Sequence, residues 1–254
     1  MSNDEFNSYL LIRNSLVMFS RFQHRSHQIE IMDDLQCSGD VVNQTLRELE
    51  FINRWLGGNA VTLEGIKQLT KGQKKKAWSI ADLGCGGGDM LKLLADWGRK
   101  NNLTLKLTGI DANPHIIDFA RSNCKAYPEI SFEALDIFSS EFQQRNYDII
   151  MGTLFYHHFA HDVLVDFFSK LKHQSRRGLV INDIHRHWLA FHSIRLLTKV
   201  FSKSAMVKFD APLSVLRAFT KQELADILFK AGIQKFRMKW KWAFRWQVIC
   251  TLVS

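Results

Sequence analysis

The chain has 254 residues, 46% of them hydrophobic, so it can fold as one large domain or as a domain with a cap, and a soluble globular protein is expected. Asp4 and Glu5 stand where a secretory leader would be basic, and no long uncharged apolar run could cross a bilayer, which predicts a cytoplasmic location. The formal net charge of +9 favours acidic partners (nucleic acid, anionic lipid or an anionic metabolite), and the scattered Cys37, Cys85, Cys124 and Cys250 exclude both a zinc-type Cys-x-x-Cys pair and a disulfide framework.

Residues 1–77 read as an N-terminal helical cap, with Tyr9, Leu10, Leu11, Val17, Met18 and Phe19 apolar and a later helical segment from Val41 to Leu56. The run Lys74, Lys75 and Lys76 suits a solvated connector. From residue 78 to 254, short β-rich runs alternate with amphipathic segments, as in a parallel sheet flanked by helices. Strands are predicted at 79–84, 104–111, 130–136, 147–152 and 178–184. Two more follow at 235–242 and 247–253. The sixth alternates Lys235, Arg237, Lys239 and Lys241 with Phe236, Met238, Trp240 and Trp242, which reads as a charged edge that discourages pairing with another chain.

The run Ile80-Ala81-Asp82-Leu83-Gly84-Cys85-Gly86-Gly87-Gly88-Asp89 delivers an aspartate into a glycine-packed strand-to-helix turn. A helix is expected to begin at Asp89, with Met90, Leu91, Leu93 and Leu94 on its apolar face. A dinucleotide fingerprint fails because Asp89 stands where the third glycine is required, and a phosphate loop fails for want of Gly-Lys-Ser/Thr. Asn113 and Pro114 mark a helix start, and Thr220 to Glu223 forms a capping box for a helix that stops near Gly232.

With Asp82, Gly84, Gly86 and Gly88 in place, the chain resembles the class I S-adenosylmethionine-dependent methyltransferases, whose first motif is D/E-x-G-x-G-x-G. The resemblance covers about the last two thirds of the chain. It implies an α/β, doubly wound, Rossmann-like seven-stranded sheet in the order 3-2-1-4-5-7-6, with the last strand antiparallel. It also implies S-adenosyl-L-methionine as cofactor, with Asp82 near its amino-acid portion, Asp111 and Ala112 at the ribose, and Asp136 with Ile137 framing the adenine. A carboxylate at a strand end accepts both hydrogen bonds of a ribose diol, and ligands of open parallel sheets lie beyond the strands' carboxyl ends.

The fourth strand runs into Gly152-Thr153-Leu154-Phe155-Tyr156-His157-His158, and the fifth into Asn182-Asp183-Ile184-His185-Arg186. That Asn-Asp-x-His-Arg run resembles a bacterial small-molecule subset associated with polyketide-like or phenolic acceptors. Thr153 is expected at the cofactor, His158 or His185 as general base, and Asp183 as the carboxylate that orients the base, while His157 fills space below the cofactor. The histidine-rich exits raise a metal-site alternative, but they lack zincin helix spacing or a carboxylate cage, so no metal is expected.

An insertion at about 185–219 is too long for a plain loop and reads as a lid. His192, Arg195, Lys199 and Lys203 form a basic stripe on it, opposite Leu189, Ile194, Leu196, Leu197, Val200 and Phe201. Packing of this apolar side onto the domain is the simpler reading; a membrane-surface helix serving a lipophilic acceptor is the alternative. The function expected is O-methylation of a phenolic hydroxyl on a small aromatic or lipophilic molecule, with C-methylation of a quinone-type precursor close behind. A nucleic-acid methyltransferase ranks lower, because the fourth strand lacks the Asn/Asp-Pro-Pro-aromatic exit, and a non-catalytic binder ranks lower still.

Overall fold

The computed structural model describes residues 20–73 and 77–252. Within them a seven-stranded sheet runs in the order β3-β2-β1-β4-β5-β7-β6. The strands are β1 (Ala77–Leu83), β2 (Thr104–Asp111), β3 (Ile130–Ala134), β4 (Tyr147–Thr153), β5 (Ser175–Ile184), β6 (Phe236–Lys241) and β7 (Arg245–Thr251). β7 pairs antiparallel with both β5 and β6, and the other pairings are parallel. This is the expected fold. Asp136 and Ile137 lie beyond β3, which stops at Ala134, and the early cap residues Tyr9 to Phe19, the Lys74 to Lys76 run and Val253 lie outside the described residues.

The helices are α1 (Asp40–Trp55), α2 (Gly58–Thr70), α3 (Asp89–Lys100), α4 (Pro114–Asn123), α5 (Ser140–Gln143), α6 (His161–Gln174), α7 (Trp188–Phe201), α8 (Ala205–Arg217) and α9 (Lys221–Lys230). Side chains alternate across each strand, so Trp78, Ile80, Ile149, Met151 and Val180 face one apolar layer with Ile66, Leu69, Leu91 and Leu94. Ala81, Leu83, Ile150, Leu179 and Ile181 face the other, against Leu164, Phe168, Leu224 and Ile227. Thus α2, placed in the cap by its sequence position, packs into the layer that covers β4, β5 and β7. There is no room between them: a Cβ at Gly65 would meet Val180 at 2.6 Å.

The helices α1, α7 and α8 line the cavity at the carboxyl ends of the strands. Val42 and Leu46 of α1 meet Ile116 of α4 and Met206 of α8, while Ala190 and Phe191 of α7 pack on Val215 and Leu216 of α8. The segment expected to form a lid, about 185–219, is a helical hairpin, α7 and α8. Its apolar side is divided: Ile194 and Leu197 turn inward, but Leu196, Val200 and Phe201 are 65%, 62% and 76% exposed, so the expected packing of that whole side onto the domain does not occur. The helix buries the flank that carries Ala190, Phe191 and Thr198, and Leu196, Val200 and Phe201 fall on its outer arc.

Candidate active site

The turn after β1 is built as its sequence demands. Gly84 has φ +65° and Gly88 φ +80°, both left-handed, and Gly88 caps α3, which begins at Asp89. A Cβ at Gly84 would fall within the Phe155 ring, and one at Gly88 would lie 2.7 Å from Cys124 Sγ. The turn's backbone is therefore bare toward the strand ends. Across β1 and β2, the N–H groups of Gly84 and Cys85 donate to the Ile110 carbonyl, which holds the turn beside Asp111.

A cavity of about 1250 Å³ opens here, lined by Asp82, Gly84, Gly86, Asp111, Ala112, Asp136, Ile137, Thr153, His157 and His158 among others. A pocket for one small ligand has ~300–1,000 Å³, so there is room for two molecules. Asp82 is buried, its Oδ1 has no partner, and desolvation, with the nearby charges of Asp111 and Asp89, pushes its carboxyl well above the usual range. Burial also raises Asp111, against N–H groups donated to its carboxylate, the one from Asn113 at 3.0 Å. Asp136 takes the Phe138 N–H at 2.9 Å, buried Ile137 lies beside it, and Thr153 shares a hydrogen bond with Thr62. Gly88 itself does not line the cavity; its place is at the start of α3.

Carboxylate oxygens, one of them buried and unpaired, next to side-chain-free backbone are the acceptors that an adenosyl amino acid requires, since its ammonium, its diol and its adenine amine all donate. The residues present fit S-adenosylmethionine.

The exits of β4 and β5 are rearranged relative to expectation. Asp183 is fully buried and does not reach His185. Its Oδ1 pairs with His157 Nδ1 at 2.7 Å, and its Oδ2 takes the N–H groups of Tyr156 and His157. Burial would raise its carboxyl, but the charge and hydrogen bond of His157 hold it below the ordinary range. His185 is not among the cavity residues. Its ring packs 4.8 Å from Trp246 and 5.4 Å from His187, and burial lowers its pKa to about 4. The reason is that β5 ends at Ile184: Asp183 is still within the strand, whereas His185 lies beyond it, where its N–H donates to the Phe244 carbonyl and its backbone bridges to Phe219.

His158 does line the cavity, and its carboxylate partner comes from a distant segment. In the 3-10 turn Ile31–Asp33, Asp33 Oδ1 meets His158 Nδ1 at 2.6 Å, and Asp33 Oδ2 accepts from Arg217 at 2.5 Å. Arg217 also donates to the His158 carbonyl, and Arg25 donates to the His157 and Phe159 carbonyls at 2.8 and 2.9 Å. Glu30 is buried with Oε1 3.7 Å from His157 Nε2, and both atoms lack a hydrogen-bond partner; burial pushes its carboxyl up to about 7. None of Arg25, Glu30, Asp33 and Arg217 carries a sequence signal, because no motif links positions 125 residues apart.

Glu30, His157 and His158 also present ligand atoms within 4.8 Å of one another. The Arg217 guanidinium, 3.7 Å from the same Glu30 oxygen, already supplies the positive charge that a cation would bring.

Residues 80–178 match the model of a methyltransferase domain. A curated relative, carboxy-S-adenosyl-L-methionine synthase of Campylobacter jejuni, is 26% identical over 181 residues, which are 65% of this chain and 73% of that protein. Among solved structures, the plantazolicin methyltransferase BpumL in complex with SAH is 20% identical with a TM-score of 0.60, covering 84% of this chain and 89% of its own. A SAM-dependent methyltransferase from Aquifex aeolicus is 16% identical with a TM-score of 0.57, covering 85% and 100%. Human N-acetylserotonin methyltransferase in complex with SAM is 17% identical with a TM-score of 0.59, over 84% of this chain and 56% of that one. Residues 80–178 thus match a methyltransferase domain, and they lie in a seven-stranded sheet whose strand order is that of the class I methyltransferase fold.

Proposed function

We propose that the enzyme methylates a small aromatic or lipophilic acceptor, on a phenol-like hydroxyl, and that His158 is the base. The observation that carries this reading is the His158–Asp33 pair on the cavity wall: with Nδ1 held by a carboxylate that Arg217 fixes in turn, Nε2 is left for the acceptor. In the same reading Asp82, Gly84, Gly86, Asp111, Ala112, Asp136, Ile137 and Thr153 hold the cofactor, and Gly88 shapes the turn that presents it.

S-adenosylmethionine supplies a sulfonium-bound methyl carbon open to in-line displacement. The protein's part is to align the acceptor oxygen with that carbon and to keep water out; proximity of this kind is worth ~7–11 kcal/mol in favourable cases. A phenolic hydroxyl has a pKa of ~10, so His158 Nε2 takes its proton as the new bond forms, and Asp33 stabilises the resulting imidazolium. The His157–Asp183 pair and Glu30 make a second polar wall, which orients the acceptor. Asp183 acts there through His157, as a positioning residue.

A lipophilic acceptor is supported by the apolar lining from Leu46, Ile116, Ile194 and Leu197, and by the exposed Leu196, Val200 and Phe201 beside Arg195, Lys199 and Lys203, a pattern suited to an anionic membrane surface. Two further structures of similar fold, the CurJ carbon methyltransferase and the citrinin polyketide synthase CMeT domain, keep carbon methylation as the second reading, since the same base could remove a proton from an acidic carbon. Incubation with methyl-labelled S-adenosylmethionine and a panel of phenols, quinols and activated carbon acids tests both. O-methylated product that His158→Ala abolishes is expected; C-methylated product alone would replace the first reading by the second.

A further inference from the structure

Arg245, the first residue of β7, is a buried cation that forms no ion pair with a carboxylate among the described residues. It is 4% exposed and lines the cavity. One guanidinium nitrogen donates to Asn53 Oδ1 at 2.6 Å, while Nε and Nη1 have no partner. Asp183 is the acid whose charge reaches it, and that carboxylate is already spent on His157. Leaving a buried charged donor unpaired is costly, so such groups survive where something else completes them.

The guanidinium lies against the amino end of α2. A Cβ at Gly58 would come within 2.6 Å of its Nη2, and α2 starts there with Gly57 as N-cap and no side-chain capping bond. The first-turn N–H groups of a helix have no partner within the helix and carry partial positive charge. Asn59, on that first turn, also lines the cavity. Two independent features, an unpaired buried arginine and an uncapped thirteen-residue helix, thus converge on one corner.

We propose that this corner is an anion subsite and that the methyl acceptor carries a carboxylate which docks on Arg245, beside the amino end of α2. The inference rests on the methyltransferase reading above and narrows its substrate class to acidic aromatic or lipophilic molecules. A carboxylate is also part of the cofactor, but the position favours the acceptor. In the sheet order β7 stands three places from β1 and four from β2, roughly 14 and 19 Å at the usual strand spacing, so the corner lies beyond the glycine turn and Asp111 on the far side of the β4 and β5 exits. Asn53 and Asn59 line the cavity around it as neutral polar side chains, and Trp242 and Phe244 of the β6–β7 turn add apolar lining.

Calorimetry on the SAH-saturated protein with 4-hydroxybenzoate and its neutral counterpart 4-hydroxybenzyl alcohol tests this. The wild type is expected to bind the acid about tenfold or more tightly than the alcohol. Arg245→Met is expected to erase that preference and Arg245→Lys to retain part of it, with SAH affinity unchanged in both. Equal binding of acid and alcohol by the wild type, a comparison that needs no variant, would overturn the subsite. So would an Arg245→Lys protein that melts normally, binds SAH more weakly and keeps the acid preference, because the guanidinium would then serve the cofactor. Failure of the wild type to bind SAH would remove the cofactor reading as well, and separates the two.

Discussion

His158 and His185 are both histidines at strand exits, yet their surroundings assign them different work. His158 faces the cavity with a carboxylate at 2.6 Å, whereas His185 sits against Trp246 with a pKa lowered to about 4. In the proposed mechanism His158→Ala should lower kcat by about 10²-fold or more with SAH affinity unchanged, and Asp33→Asn should lower it less. His185→Ala should leave kcat within about threefold of wild type. Steady-state kinetics with calorimetry checks all three, and the opposite ranking of the two histidines would move the base to His185.

Glu30 gives a prediction about pH. Its folded pKa, about 7, lies above the ordinary 4.5, so the native state binds the proton more tightly than the unfolded chain does. Stability from this group is full below about pH 4.5, is lost as the pH rises through about 7, and is then constant. Glu30→Gln should therefore flatten the pH dependence of the urea midpoint between those values and raise the midpoint at pH 8. An unchanged profile would mean that the carboxyl titrates normally.

At the scale of elements, much was legible because local chemistry set it. The capping box at Thr220 and Glu223 starts α9, and Asn113 with Pro114 starts α4, each by bonds within three residues. The glycine turn was legible for the same reason: only a left-handed backbone without a Cβ fits between Phe155 and Cys124. Gly84→Ala, strained at φ +65° and blocked by Phe155, should cost about 2 kcal/mol or more of stability and weaken cofactor binding, as thermal melts with and without SAH would register. By contrast, nothing local announces that Asp33 and Arg217 meet His158, or that Asp183 turns to His157. These contacts are decided by how the 3-10 turn and α8 pack over the rim, and packing between distant segments leaves no periodic trace.

The outer arc of α7 is an element whose partner is proposed to be a membrane. Co-sedimentation with phosphatidylglycerol vesicles should be strong for the wild type and largely lost in a Leu196→Ser, Phe201→Ser variant, since each buried side chain contributes ~1.5–3 kcal/mol. Equal pelleting of both proteins would leave the arc without that role. No described helix is long and apolar enough to cross a bilayer.

At the scale of the whole molecule, the sheet and the helices α1, α7 and α8 make one cavity with two ends. The β1–β3 exits present glycines and carboxylates, and the β4 exit, together with the start of β7, presents imidazoles and an arginine. The strand order was legible from the alternation of β-rich and amphipathic runs together with the family resemblance; the charge of the far end was not, because Arg245 falls between the two strands predicted at 235–242 and 247–253 and belongs to no motif. The proposed chemistry requires no metal at either end. Activity should accordingly survive exhaustive chelation, and its loss with recovery on adding a divalent ion would reassign Glu30, His157 and His158 as ligands.

The central claim is that the rim formed by Gly84, Gly86 and Asp111 holds the methyl donor. Calorimetric titration of SAH into the wild type and Asp111→Ala tests it most directly. One site per chain is predicted, with affinity reduced about tenfold or more in the variant, as befits the loss of a charged acceptor of hydrogen bonds. Equal affinity in the two proteins would place the donor elsewhere and contradict the account.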